Sequence, residues 1–138
     1  MLFPKKVKYR KWQTLRKNPK KVGVATRGLS ISFGSYGLKA MTPGRITSNQ
    51  IESARKAINK AVGKTGRVWI RIFPDMPFTK KPAEVKMGKG KGELQGYHAP
   101  VRAGQIIFEV DASSQAVAFE ALRKGGTKMP VKTKSVSR

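Results

Sequence analysis

Catalysis by this chain would have to be assembled from very few parts. His98 is the only histidine, cysteine is absent, and the acids are seven: Glu52, Asp75, Glu84, Glu93, Glu109, Asp111 and Glu120. A histidine-based metal site therefore lacks ligands, and thiolate sites, disulfides and cysteine nucleophiles are excluded, so neither metal nor cofactor is expected. A Ser–His–Asp triad would depend on His98, whose surroundings Gly96-Tyr97-His98-Ala99-Pro100 contain no nucleophile elbow. The expectation is a surface imidazole, facing solvent or a bound polyanion. Glu109 and Asp111 alone are close in sequence. At i and i+2 of a strand they share a face, and such a pair suits capping or surface pairing better than acid–base work. No enzyme is expected.

The run Gly88-Lys89-Gly90-Lys91-Gly92 invites comparison with phosphate-binding loops. A Walker loop needs Gly-Lys followed by Ser or Thr opening a helix, whereas Lys91 precedes Gly92 and Glu93; G-x-G-x-x-G fails in spacing and context. What remains is a cationic loop whose glycines permit close backbone approach, with Lys86, Lys89 and Lys91 as donors to phosphates. A plain solvated hairpin tip would have the same composition.

Lysine and arginine number 30 against 7 acids, a formal +23 in 138 residues. Self-repulsion on that scale calls for a dense polyanion, and nucleic acid supplies one. An anionic membrane surface is the competing partner. Against it, no apolar run approaches the roughly 20 residues of a spanning helix, and the basic segments lack a clean amphipathic face. Met1-Leu2-Phe3-Pro4-Lys5-Lys6 carries no apolar stretch of signal-peptide length, so the expected setting is the cytoplasm or an organelle that encodes its own copy.

These residues must be positioned by a modest core, for which 38% hydrophobic residues suffice. Residues 1–27 form a basic arm without acids, holding Lys5, Lys6, Lys8, Arg10, Lys11, Arg16, Lys17, Lys20, Lys21 and Arg27. Alone, such a block cannot offset its ordering entropy. Tyr9 and Trp12 interleave with the charges and could stack on bases or anchor the arm to its own core. Leu29, Ile31 and Phe33 alternate with Ser30 and Ser32, and residues 36–41 repeat the pattern, which predicts an opening hairpin. Thr47-Ser48-Asn49-Gln50 has the form of a capping box, and Ile51, Ala54, Ile58, Ala61 and Val62 make one helical stripe ending at Gly63. Residues 67–73 alternate as a strand, with Val68, Ile70 and Ile72 on one face. Its other face, Arg67, Trp69, Arg71 and Phe73, must be covered by another element or laid against RNA. Residues 75–96 read as loop, 105–110 as strand, and Ser113 or Ser114 caps a second helix closed by Gly125-Gly126. Residues 127–138 are again basic and extended. The expected fold is an α+β core over 28–126, two helices among five or more short strands, with the loop at about 75–96 and basic extensions at both ends.

Several motifs occur in one order: Met1-Leu2-x-Pro4-Lys5-x-x-Lys8-Tyr9-Arg10, Phe33-Gly34-x-Tyr36-Gly37-Leu38, Ile46-Thr47 with Gln50-Ile51-Glu52-x-Ala54-Arg55, Val68-Trp69-Ile70-Arg71-Ile72-Phe73-Pro74, Lys81-Pro82-x-Glu84-Val85, Met87-Gly88-x-Gly90-Lys91-Gly92, and Lys128-Met129-Pro130-Val131-Lys132-Thr133-Lys134. Together they resemble the bacterial large-subunit ribosomal protein L-sixteen family over nearly the whole chain. The resemblance implies an α/β-hammerhead-like sandwich of short, mostly antiparallel strands. It implies binding to 23S-type rRNA near the peptidyl-transferase region, contact with tRNA in the aminoacyl site, neighbouring ribosomal proteins as partners, late incorporation into the subunit and no homo-oligomer. The tRNA-facing residues would be Lys80, Lys81, Lys86, Met87, Gly88, Lys89, Gly90, Lys91 and Gly92. The rRNA-binding set would be Lys5, Lys6, Lys8, Tyr9, Arg10, Lys11, Trp12, Arg16, Lys17, Lys20, Lys21, Arg55, Arg71, Lys128, Lys132 and Lys134.

Three departures from the family pattern stand out. Position 86 is Lys where relatives usually carry Arg, which removes a planar fork able to stack or bind bidentately. The arm between Arg10 and Gly28 diverges, with a short insertion around 15–24. After Leu122 the chain reads Arg123-Lys124-Gly125-Gly126, where relatives continue an Ala- and Leu-rich helix. From the residues alone, a free-standing nucleoid or RNA-chaperone module is the alternative, and an RNA-acting enzyme would need the acid or histidine cluster that is missing.

Overall fold

The computed structural model describes residues 1–14 and 18–138, apart from the Pro19 side chain. Arg16 and Lys17 of the expected rRNA-binding set lie outside the described residues. Among the described residues seven strands and two α-helices follow one another as β1 (Tyr36–Ala40), β2 (Gly44–Thr47), α1 (Ser48–Val62), β3 (Arg67–Ile70), β4 (Met76–Lys80), β5 (Glu93–Val101), β6 (Ile106–Asp111), α2 (Gln115–Gly126) and β7 (Thr133–Ser137). A four-stranded sheet has the order β3-β6-β1-β7 and a three-stranded sheet the order β2-β5-β4, with every pairing antiparallel. This is an α+β fold.

Strand β6 lies inside the larger sheet, and Ile106, Ile107, Phe108 and Val110 are all buried, as a strand covered on both faces requires. Helix α1 starts where the Thr47 hydroxyl accepts from the Gln50 amide while the Gln50 side chain accepts from the Thr47 amide, the capping box read in the sequence. Its stripe Ile51, Ala54, Ile58 and Val62 is buried in the common core, and Gly63 (φ 82°) ends it. Ser114 caps α2, its hydroxyl accepting from the Val117 amide. The helices approach so closely that a Cβ on Gly125 would lie 2.5 Å from the Ile58 side chain. Among the described residues no helix is long and apolar enough to cross a membrane.

Four expectations change. The opening hairpin does not form: residues 29–35 are irregular, and β1 pairs with β6 and β7 instead. The Ser32, Phe33 and Gly34 amides turn inward onto the Glu109 side chain of β6. The supposed loop over 75–96 is shorter, because β4 and β5 pair across it and leave 81–92 as the connection. Pro77 is tolerated because β4 is an edge strand. The strand expected over 67–73 ends at Ile70, although the Arg71 amide still donates to the Ile107 carbonyl at 2.9 Å. Finally, the basic C-terminal stretch supplies an edge strand, β7.

Candidate nucleic-acid interface

The acids decide where the positive charge is left free. Three of the seven, Glu52, Glu109 and Glu120, hold all the ion pairs found among the described residues, with Arg55, with Arg71, and with Arg123 and Lys124. The Arg123 hydrogen bond to its carboxylate holds Glu120 down to about 2. The cations of the arm, of 80–91 and of 128–134 enter none of these pairs.

Glu109 shows how charge is handled inside. It is wholly buried, and its carboxylate accepts from the Ser32 and Gly34 amides at 2.9 Å, from the Phe33 amide and from Arg71. Burial alone would push the carboxyl up; the three amides and the guanidinium outweigh it and hold it below its usual range. Phe33 stacks on Trp69 with centroids 6.3 Å apart, and Arg71 lies over the Phe33 ring. This settles the middle of the strand's outer face, where Phe33 lies against Trp69 and Arg71, while Arg67 and Phe73 stay exposed. The expected surface pairing of Glu109 is therefore corrected to an interior site. Arg71, expected among the rRNA-binding residues, has its guanidinium engaged there.

His98 is also corrected. Rather than a surface imidazole it is 5% exposed, stacks on Phe78, and leaves Nε2 without a hydrogen-bond partner. Burial, then the nearby Arg45 charge, push it below its ordinary value against the pull of Asp75. No group of three or more potential ligands for a metal occurs among the described residues.

The remaining expected residues are on the outside. Lys5, Lys6, Lys8, Tyr9, Arg10, Lys11 and Trp12 are exposed, as are Lys20 and Lys21 around a 3₁₀ turn at Pro19–Lys21. Lys8 sits over the Tyr9 ring, leaving that ring 63% exposed. Lys128, Lys132 and Lys134 line the approach to β7 and its edge, and Arg55 remains partly accessible beside Glu52. Lys80 at the end of β4 is exposed, and between β4 and β5 Lys86, Gly88, Lys89, Gly90 and Lys91 are exposed, Lys81 and Gly92 are half-buried, and Met87 is 98% exposed. Three successive residues, Gly88, Lys89 and Gly90, have φ of 91°, 56° and 101°, a turn that glycine makes accessible. Lys81 reaches the Gly88 carbonyl across the tip, and Lys91 reaches the Trp12 carbonyl, so loop and arm touch.

The sequence reading missed a cleft of about 680 Å³ between the arm and the three-stranded sheet, lined by Trp12, Arg27, Arg45 and Arg102 among others. Its arginines lie far apart in sequence, and β2 is too short to announce itself.

The family model for ribosomal protein L16p/L10e matches residues 4–136. Large ribosomal subunit protein uL16 of Halorhodospira halophila is 51% identical over 138 residues, covering 100% of this chain and 98% of the relative. Proteins of the same name from Rhodopseudomonas palustris and Bartonella quintana are 51% identical over the same shares. The chain belongs to the ribosomal protein L16p/L10e family.

Proposed function

We propose that this protein is a structural, non-enzymatic constituent of the large ribosomal subunit that binds 23S-type rRNA and presents its 81–92 loop to tRNA in the aminoacyl site. The observation that carries the reading is the segregation of charge in a member of this family. Three arginines are paired with acids, while the cations of the arm, the loop and the C-terminal stretch form no ion pair among the described residues. Unpaired lysines and arginines on extended segments are what phosphate contacts require, and each such contact releases counterions.

In this reading residues 1–27 are an rRNA-binding extension, the exposed lysines of 127–138 bind rRNA from the core edge that β7 forms, and neighbouring ribosomal proteins adjoin that core. The loop supplies point charges from Lys86 and Lys89, an accessible apolar tip at Met87, and glycine backbone open to close approach. A sucrose-gradient profile of cell lysate at low and high salt, with the protein followed by mass spectrometry, tests the assignment. Co-migration with the large subunit is expected; persistence in the free fraction would overturn it. Affinity of the isolated protein for rRNA should fall with salt at a log–log slope of order one per phosphate contacted, and a salt-independent affinity would remove the electrostatic basis.

A further inference from the structure

We propose that the cleft between the arm and the three-stranded sheet is a receptor for a single unstacked RNA nucleotide, its base against Trp12 and its phosphate among Arg27, Arg45 and Arg102. The cleft is built rather than incidental. Arg45 on β2 stands opposite Pro100 on β5, and Arg102 follows two residues later, so two guanidinium-bearing side chains arise at one end of the small sheet. Arg27 comes from the arm, where the backbone is fastened on both sides of it: the Ala25 amide donates to the Ala103 carbonyl at 2.9 Å, and the Ile106 amide donates to the Gly28 carbonyl at 2.8 Å. The Trp12 carbonyl accepts from Lys91 of the loop.

The chemistry of the lining selects the occupant. Arg27, Arg45 and Arg102 form no ion pair and no side-chain hydrogen bond among the described residues. Three like charges around one opening repel each other until an anion enters, and the guanidinium fork matches phosphate bidentately. Trp12 is 39% exposed and offers an indole face, while Met76 and Pro100 give the cleft an apolar surface suited to a flat ring. A volume of about 680 Å³ lies in the range of small-ligand pockets, which is large for a lone phosphate. A base and its phosphate satisfy both halves of the lining at once. A stacked duplex exposes only its phosphates here, so the nucleotide must come from a loop, bulge or junction.

This inference rests on the rRNA-binding reading, and the test separates the two. The full-length protein is titrated into a dye-labelled single-stranded RNA tetranucleotide and its equally labelled abasic counterpart, which has the same phosphates, while the anisotropy of the dye is followed. The intact oligonucleotide should bind roughly tenfold or more tightly, as one base–aromatic stack allows. Trp12→Leu should abolish that difference, Trp12→Phe should retain most of it, and Arg45→Gln with Arg102→Gln should weaken both ligands alike. Unchanged thermal unfolding in each variant establishes that the fold is intact. Equal, salt-sensitive binding of both oligonucleotides by the unaltered protein would overturn the nucleotide receptor and leave the rRNA-binding reading standing. Failure to bind either at low salt would overturn both. Displacement of the intact RNA by an oligoglutamate peptide as readily as by the abasic ligand would also sink the receptor, making the cleft a site for an acidic protein segment.

Discussion

Glu109 on the four-stranded sheet and His98 on the three-stranded sheet are both almost sealed from solvent, but their surroundings differ in kind. Around Glu109 three backbone amides and one guanidinium converge on the carboxylate, and the Phe33 ring of the same segment stacks on Trp69. His98 has Phe78 against its ring, and its Nε2 has no partner. The same contrast holds for the cations: Arg71 is enclosed, whereas Arg27, Arg45 and Arg102 open into a cleft beside the arm. On the larger sheet Glu109 and Arg71 complete each other's polar contacts internally. The smaller one carries the loop, receives the arm, and keeps donors in reserve for something outside the chain.

The strongest way to break this comparison is to remove Glu109. Glu109→Ala leaves Arg71 without a partner and strands three amides, a loss of about 3–5 kcal/mol. Thermal unfolding of the isolated protein should drop by roughly 10 °C or more. A drop of one or two degrees would mean that the site is not closed. Removing both charges, Glu109→Leu with Arg71→Met, should cost less than the single change, because no uncompensated ion remains. The pH dependence has a defined sign. The folded-state carboxyl lies below its unfolded value of about 4.3, so its stabilisation is present above that pH and is lost as acid carries the protein down through the lower folded value. Glu109→Gln should lack that part of the acid transition.

Next in size is the packing above the same sheet. Alanine is a better helix former than glycine by about 1 kcal/mol, so Gly125→Ala would stabilise an isolated α2. Here the added methyl would meet the buried Ile58 side chain at 2.5 Å. Overpacking of that kind costs about 1–3 kcal/mol and should outweigh the helix gain, giving a net loss in chemical denaturation. A net gain would show that the helix pair yields. Gly88→Ala provides the contrast, since nothing lies within 4 Å and only the positive φ resists the substitution.

Much of the closed half was legible because its signals are local. The capping residues Thr47 and Gln50, and the stripe Ile51, Ala54, Ile58 and Val62, lie within one helix and needed no distant partner to be read. The run 105–110 is apolar enough to be a buried strand whatever covers it. The misreadings have a different origin. Leu29 to Phe33 alternate like a strand, but the Ser32, Phe33 and Gly34 amides are claimed by Glu109, some 76 positions away, and sequence periodicity cannot register such a contact. β5 contains Gly96 and Pro100, both of which read as breakers, yet it is the central strand of its sheet. The candidate interface divides the same way. Its lysine-rich segments were visible in composition, whereas the cleft required Trp12, Arg27, Arg45 and Arg102 to be brought together by the fold.

His98 sharpens the comparison at moderate cost. Burial lowers its folded-state value, so below the unfolded value of about 6.5 the unfolded chain takes up the proton more readily. Stability should therefore decline as pH falls below that point and stop declining beneath the folded value, at no more than about 1.4 kcal/mol per pH unit. Groups facing the imidazole include Arg45, which steepens the effect, and Asp75, which opposes it. His98→Gln should flatten this segment of the curve, and an unaltered slope would assign it to another group.

The smallest effect on stability, and the most informative about function, belongs to the loop. Lys86 and Lys89 are exposed and form no ion pair among the described residues, so replacing both with alanine should change stability by no more than about 0.5 kcal/mol. Lys91 is left in place because it also holds the Trp12 carbonyl, and its loss would disturb arm and loop together. If these two lysines meet phosphates, the salt slope for tRNA binding to reconstituted subunits should fall by about two, while incorporation of the protein into the subunit is retained. Equal loss of incorporation and tRNA binding would assign the loop to rRNA along with the arm. The open half of the molecule would then be one continuous rRNA surface rather than two surfaces meeting at the contact between Lys91 and Trp12.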